Sequence, residues 1–196
     1  MSSMLEEELP PYQGIALEDV RLVKSDLDAA EALAALSQAD TIGFDTESKP
    51  TFAKGEESTG PHLVQLATDD TAWLFQIGPG RDGSAIDVLR TVLEAPHILK
   101  VGFGLGDDLR RLRSKLGIET TKVIDLSTAL RRGERNALGA KTAVARFFGQ
   151  RLQKSKRITT TNWAQPHLTE KQILYAADDA HVALRIYRHW QASLPA

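Results

Sequence analysis

Two carboxylates separated by one residue give the first indication of chemistry in this sequence. Asp45 and Glu47 end an apolar run in "TIGFDTESKP", which spans residues 41–50. Successive side chains of a strand alternate between its faces, so both carboxylates point the same way. Two like charges held side by side repel each other and are costly to bury, whereas Mg²⁺ or Mn²⁺, which prefer oxygen ligands, would relieve both problems. The alternative interpretation is a solvated strand end without a function.

A second pair of acids opens a predicted helix in "VGFGLGDDLRRLRSKLG". At about 100° per residue, one face of this helix is apolar and contains Leu109, Leu112 and Leu116. Asp108 flanks that face and is placed to point toward the sheet, whereas Asp107 lies nearly opposite it and should be in contact with water. The alternative is that both acids merely favour the positive end of the helix dipole.

A third group of polar residues lies in the last predicted helix, in "LYAADDAHVALRIY". Tyr175 and Asp179 are four residues apart and therefore share one helix face. The helix is apolar on two sides, which predicts burial, and an inward-facing acid in a buried helix needs a partner. Asp178 is three residues from Tyr175, so geometry alone separates it only weakly from Asp179. A buried tyrosine with a capping or surface acid is the alternative.

Taken in order, these motifs resemble the DEDDy branch of the DEDD 3'–5' exonucleases, in the ribonuclease H-like superfamily. The matching segments are "FDTE", "KVGFGLGDDLRRL" and "YAADDAHVALRIY", and the resemblance runs from about Ala39 to Trp190. The form of the second segment is similar to that of the Werner syndrome exonuclease domain, and ribonuclease D has similar motifs. The resemblance implies a set of catalytic residues that comprises four metal-binding acids and the tyrosine that names the branch: Asp45, Glu47, Asp108, Asp179 and Tyr175.

The resemblance also implies a reaction, the hydrolysis of phosphodiester bonds from the 3' end of DNA or RNA with release of nucleoside 5'-monophosphates. Two divalent ions, Mg²⁺ or Mn²⁺, would assist it. Asp45 would bridge the ions, Glu47 and Asp179 would bind the ion on the nucleophile side, and Asp108 would bind the second. Tyr175 would hydrogen-bond the attacking water. One alternative is a catalytically weak nucleic-acid-binding module of the same fold. Another is an aspartyl phosphatase, which would need a second Asp in place of Glu47.

Candidate substrate contacts lie mainly in "QRLQKSKRITTTNWAQPHL", a long segment without strong periodicity before the last helix. Lys154, Lys156 and Arg157 are expected to bind phosphates, which makes binding salt-dependent. Trp163 or Phe52 is expected to stack on a terminal base. For Trp163, packing of the segment against the core is the alternative.

The elements that must position these residues alternate between strands and helices, which predicts an α/β domain. "DVRLVKS" and "TIGFDTE" are predicted strands, and "HLVQLATDDTAWLFQI" is a predicted hairpin that turns at Asp69 and Asp70. Helices are predicted in "SDLDAAEALAALSQ", "GSAIDVLRTVLEAP", "LGDDLRRLRSKLG" and "AKTAVARFFG" and after Thr169. We expect a ribonuclease H-like mixed sheet of five to six strands, a three-strand antiparallel meander plus parallel strands, with helices packed on it. Gln65, on the strand that follows the first motif, is expected to line the sheet near the site.

The composition favours one globular domain, since the 196 residues are 42% hydrophobic and 26% charged. We expect residues 1–16 to form a flexible acidic tail and residues 17–196 a single exonuclease domain. The chain has no cysteine, which excludes disulfides, thiolate metal sites and a cysteine nucleophile. No apolar stretch approaches the roughly 18 residues that span a bilayer, and the acidic N-terminus is unlike a signal peptide. We therefore expect no membrane association and a cytoplasmic location.

Charge is distributed unevenly along the chain, although the net charge is only −2. Residues 1–31 contain eight acidic and two basic side chains, whereas residues 131–157 contain nine Lys or Arg and one acid, Glu134. Such a basic region is typical of a surface that binds a phosphate backbone, and a solvated basic face without a partner is the alternative. The sequence does not separate DNA from RNA as the substrate.

Overall fold

A computed structural model describes residues 8–79, 83–131, 133 and 135–194 of the chain. Its centre is a six-stranded sheet with the strand order β1-β4-β3-β2-β5-β6. The strands are β1 (Val20–Val23), β2 (Thr41–Glu47), β3 (Leu63–Ala67), β4 (Ala72–Gln76), β5 (Leu99–Gly102) and β6 (Val123–Asp125). Strands β2, β3 and β4 form an antiparallel meander. The other pairings are parallel: β1 pairs with β4, β5 with β2, and β6 with β5. The predicted mixed α/β sheet is confirmed.

The helices follow the predicted pattern closely. After a 3-10 turn (Leu17–Asp19) they are α1 (Asp26–Leu36), α2 (Gly83–Leu93), α3 (Gly106–Arg111), α4 (Leu126–Ala129), α5 (Ala140–Phe148), α6 (Lys156–Thr159) and α7 (Glu170–Ala192). Ser25 and Thr169 begin α1 and α7 with reciprocal capping boxes. α3 continues into a π-helical turn (Leu112–Leu116) that ends at Gly117, and α6 forms within the segment that showed no periodicity.

The sheet is covered on both faces, which is why the central strands β3 and β4 are buried along their whole length. α1 and α2 pack on one face, and α7 crosses the other face over β2, β3, β4 and β5. Gly43 allows α7 to approach β2 closely, because a side chain at this position would collide with the carbonyl oxygen of Ala180. The close approach brings the middle of α7 next to the end of β2, where Asp45 and Glu47 lie.

The segment before β1 packs against α7. The Tyr12 amide donates a hydrogen bond to the Arg151 carbonyl (2.9 Å), and the Ile15 amide donates one to a carboxylate oxygen of Asp178 (2.8 Å). The Arg185 guanidinium lies over the Tyr12 ring. Residues 10–15 are therefore joined to α7 and to Arg151 by these contacts, while residues 1–7 of the predicted flexible tail lie outside the described part. Within the part of the chain that the structure describes, no helix is long and apolar enough to cross a membrane.

Candidate active site

Three acids from two elements converge at the end of β2. Asp45, Glu47 and Asp179 each present a carboxylate oxygen, and these oxygens all lie within 4.8 Å of one another. Asp45 is half-buried, while Glu47 and Asp179 are buried. Asp45 and Glu47 thus share one face of β2, as strand alternation predicts, and α7 adds the third carboxylate. We call these three residues the carboxylate cage.

Asp108 lies beside the cage, at the beginning of α3. Its side chain is buried, and one of its oxygens accepts a hydrogen bond from the hydroxyl of Thr46, the residue between the two acids of β2. Asp107 points away instead, with its side chain 61% exposed and an ion pair to Arg110 at 2.8 Å. Asp108 therefore faces the interior and Asp107 faces the solvent, as the helical periodicity predicts.

The loop before α3 is held by Asp125 of β6. The carboxylate of Asp125 accepts hydrogen bonds from the backbone amides of Gly104 (2.9 Å) and Leu105 (3.0 Å) and from Ser127. These contacts fix the backbone from which Asp108 projects. No sequence signal indicated Asp125 or Thr46 as site residues, although Thr46 lies between the two acids of the first motif.

The structure also separates the two acids that remained close alternatives on α7. Asp179 belongs to the cage, whereas Asp178 faces the N-terminal segment and accepts the hydrogen bond from the Ile15 amide. A side chain at Gly14 would collide with the Asp178 carboxylate, so this contact is closely packed. Asp178 therefore joins α7 to the segment before β1, and Asp179 is the acid of this pair that enters the cage.

Burial and mutual repulsion raise the pKa values of the cage acids. Burial has the largest effect on the pKa of Asp45, and the charges of Asp179, Asp108 and Glu47 raise it further, well above its usual range. Burial and the charge of Asp179 raise the pKa of Glu47 to about 8. Burial likewise raises the pKa values of Asp108 and Asp179. A cation would stabilise the ionised form of carboxylates in such surroundings, and a group made only of carboxylate oxygens suits a hard divalent ion such as Mg²⁺ or Mn²⁺.

Tyr175 lies on α7, one turn before Asp179. Its hydroxyl is 2.8 Å from the hydroxyl of Thr159 at the end of α6. Burial, followed by the charge of Asp179, raises the pKa of Tyr175 to about 12. The phenol therefore keeps its proton at neutral pH and can both donate and accept a hydrogen bond.

Lys154 lies inside the site rather than on an outer surface. Its ammonium nitrogen is 2.7 Å from a carboxylate oxygen of Asp179 and 5.7 Å from the centre of the Tyr175 ring. Its side chain is 30% exposed. Sequence reasoning placed Lys154 among the phosphate contacts, and did not foresee an ion pair with a cage acid.

The remaining candidate substrate residues differ in their exposure. Phe52 is 89% exposed, and Lys156 and Arg157 are exposed on α6, so these three side chains are free to meet a ligand. Trp163 is only 1% exposed and donates a hydrogen bond from its ring nitrogen to the carbonyl of Thr159 (3.2 Å). Its burial corrects the expectation that this ring stacks on a base and agrees with the packing alternative.

Gln65 lies next to the cage, as expected for a residue that lines the sheet. It is opposite Asp45 in the antiparallel pairing of β2 with β3, so the two side chains share a face. It is fully buried, and neither atom of its amide has a hydrogen-bond partner among the described residues.

Comparison with protein families places these residues in a known context. A family model described as 3'-5' exonuclease matches residues 20–195. The chain is also 30% identical to the bifunctional 3'-5' exonuclease/ATP-dependent helicase WRN of Mus musculus, in an alignment 161 residues long that covers 78% of this chain. The matched part is 11% of that relative, so this chain corresponds to a small portion of the mouse protein.

Solved structures give the same result for the fold. The EXO domain of Nibbler from Aedes aegypti is similar with a TM-score of 0.74 and 25% identity, and 92% of each chain is covered. RNase D of Escherichia coli, described as an exoribonuclease involved in structured RNA processing, is similar with a TM-score of 0.71 and 25% identity. That match covers 89% of this chain and 46% of the RNase D chain.

Proposed function

Because this chain belongs to the 3'-5' exonuclease family, we propose that it removes nucleotides one at a time from the 3' end of a nucleic acid. The products would be nucleoside 5'-monophosphates, and two divalent ions, Mg²⁺ or Mn²⁺, would be required. The observation that carries the proposal is that carboxylate oxygens of Asp45, Glu47 and Asp179 lie within 4.8 Å of one another, with Asp108 beside them.

The four acids would form two sets of metal ligands that share Asp45. Asp45, Glu47 and Asp179 would hold one ion, while Asp108, together with Asp45, would hold the other. Metal ions in such a pair activate a water molecule and stabilise the leaving oxygen of a phosphodiester. The raised pKa values of these acids support the proposal, because a divalent ion would offset the charges that burial makes unfavourable.

Tyr175 would orient the attacking water. Its pKa of about 12 keeps the hydroxyl protonated, so the phenol acts through hydrogen bonding and not as a base. Thr159 holds the hydroxyl from one side, and Trp163 supports the ring, with the two ring centres 6.0 Å apart. These contacts reduce the freedom of the Tyr175 side chain before a substrate binds, which is the preorganisation that positioning requires.

The substrate strand would reach the cage past α6 and the loop that carries Phe52. Lys156 and Arg157 are exposed on α6, close in sequence to Thr159, and would bind phosphates of the strand. Phe52, with its ring exposed, would stack on a terminal base. The chain has kept all four acids and Tyr175, which favours an active enzyme over a binding module that has lost turnover.

A substrate panel tests the proposal. The purified protein is incubated with 5'-labelled single-stranded DNA, 3'-recessed duplex DNA and RNA, each with Mg²⁺, Mn²⁺ or a chelator. We expect stepwise shortening from the 3' end with a metal ion and none with the chelator, and the preferred strand identifies the substrate class.

Two variants provide the matched comparison. Asp45→Asn should lose nucleotide release, while Asp107→Asn, which changes the exposed acid next to Asp108, should keep it within a few-fold of the wild type. The proposal is wrong if no strand is shortened with either metal ion, or if Asp45→Asn works at the full rate.

A further inference from the structure

Lys154 is anchored close to the carboxylate cage by the backbone on both sides of it. Before it, Arg151 exchanges backbone hydrogen bonds with Pro10 (2.8 Å) and Tyr12 (2.9 Å), and Leu152 is buried in the core between α5 and α7. After it, Ser155 begins α6. The position of the Lys154 side chain is therefore a consequence of how the whole segment packs.

The ammonium group acts on the whole cage as well as on the acid it touches. It is 2.7 Å from Asp179, whose oxygen lies within 4.8 Å of oxygens of Asp45 and Glu47. Its charge lowers the pKa values of all three cage acids, in opposition to burial. Burial lowers the pKa of Lys154 itself, but the charge of Asp179 and its hydrogen bond outweigh burial, and the pKa is raised.

A cation that already pairs with Asp179 has a direct consequence for metal binding. The Asp179 carboxylate that accepts the Lys154 hydrogen bond also provides an oxygen of the cage, which a divalent ion bound there would need as a ligand. An ammonium group and a metal ion at this one carboxylate repel each other, because their charges have the same sign.

We propose that Lys154 is an internal counter-ion of the carboxylate cage and competes with a divalent metal ion for Asp179. In the metal-free protein the ammonium offsets part of the repulsion between the acids. When a metal ion binds, the ammonium leaves Asp179 and is free to contact a phosphate of the substrate. The inference rests on the metal site of the proposed function and adds a residue that sets the affinity of this site.

Competition between Lys154 and the metal ion predicts opposite effects on Mn²⁺ affinity and on the stability of the metal-free protein. A purely structural role of Lys154 would not produce both. Replacement of Lys154 by Met should tighten Mn²⁺ binding about tenfold, since the charge-assisted hydrogen bond no longer has to be broken. The same change should make the metal-free protein less stable, with unfolding at a lower urea concentration in the presence of a chelator. Saturating Mn²⁺ should remove or reverse this loss of stability.

The experiment measures free Mn²⁺ by electron paramagnetic resonance during a titration of the wild type, Lys154→Met and Lys156→Met. Lys156→Met is the matched control, because it removes an exposed positive charge two residues away and should leave the Mn²⁺ affinity within about twofold. Urea unfolding with a chelator and with Mn²⁺ is followed by circular dichroism on the same proteins. Lys154→Gln repeats both measurements if the Met variant does not fold.

The possible results separate this inference from the proposed function. If the wild type binds Mn²⁺ and Lys154→Met binds it with the same or lower affinity, the competition is refuted while the metal site stands. An equal gain in affinity in Lys156→Met would also refute it, because the effect would then be one of overall charge. If the wild type binds no Mn²⁺, the metal site itself is refuted, and the proposed function and the competition both fall.

Discussion

Glu47 provides a quantitative test of the electrostatics of the cage. Its pKa rises from 4.5 to about 8 in the folded, metal-free protein, chiefly through burial. The folded state therefore binds more protons than the unfolded state between these two values. Since the free energy of unfolding falls with pH wherever the folded state binds more protons, ionisation of Glu47 destabilises the fold as the pH rises from about 4.5 to about 8.

The size of the effect follows from the two pKa values. Each pH unit between them costs about 1.4 kcal/mol for a single group. A Glu47→Gln variant, which has no charge to ionise, should exceed the wild type in free energy of unfolding by at most about 1 kcal/mol at pH 5, about 3 kcal/mol at pH 7 and about 5 kcal/mol at pH 9. The lowering of the Glu47 pKa by the charge of Lys154 is already part of this value, and relaxation of the neighbouring acids reduces these limits further.

The assay is urea unfolding of both proteins at these three pH values with a chelator present. Glu31→Gln is the matched control, because it makes the same substitution at an exposed position on α1, outside the cage. With the chelator, the stabilising effect of Glu47→Gln should grow with pH. With saturating Mn²⁺ instead, the wild type should be the more stable protein, because it keeps the carboxylate that binds the ion. A constant difference between the two proteins at all three pH values, or a Gln variant less stable at pH 9, would refute the assigned electrostatics.

Three further predictions concern the geometry around the cage. Tyr175→Phe should slow single-turnover hydrolysis at least about a hundredfold while substrate affinity, measured by fluorescence anisotropy with Ca²⁺, changes little; equal losses in rate and affinity would remove the tyrosine from the water-orienting role. Gly43→Ala should lower the free energy of unfolding by about 1–3 kcal/mol, because the added methyl group collides with α7. Gly83→Ala, whose methyl group meets open space, should not lower it. Urea unfolding of both variants measures the difference, and equal losses of stability would contradict the close packing at Gly43. Asp179→Asn should abolish metal-dependent nucleotide release and Asp178→Asn should retain it, because an amide oxygen can still accept the hydrogen bond from Ile15; similar losses in both would contradict the separation of the two acids.

Several side-chain directions on regular elements could be predicted from the sequence, although Thr46 and Asp125, which also lie on strands, were missed. Strand alternation placed Asp45 and Glu47 on one face, and helical periodicity separated Asp108 from Asp107. Both arguments succeed because the period of an element fixes where a side chain points, whatever the rest of the chain does.

The parts on irregular segments could not be predicted. Lys154 lies in a segment without periodicity, and an isolated lysine is usually exposed, so nothing in its neighbours indicated a carboxylate partner. Trp163 lies in the same segment, where the sequence alone does not distinguish a ring that stacks on a ligand from one that packs on the core. Tyr12 follows an acidic, proline-broken stretch typical of a tail, and its contacts are with residues far along the chain, Arg151 and Arg185.

Anomalous diffraction from crystals of the protein grown with Mn²⁺ tests the carboxylate cage most directly. We expect two anomalous peaks about 4 Å apart, one bound by Asp45, Glu47 and Asp179 and the other next to Asp108. Crystals that bind Mn²⁺ elsewhere, or show no peak among these four side chains, would contradict the assignment of this site as a metal-dependent nuclease centre.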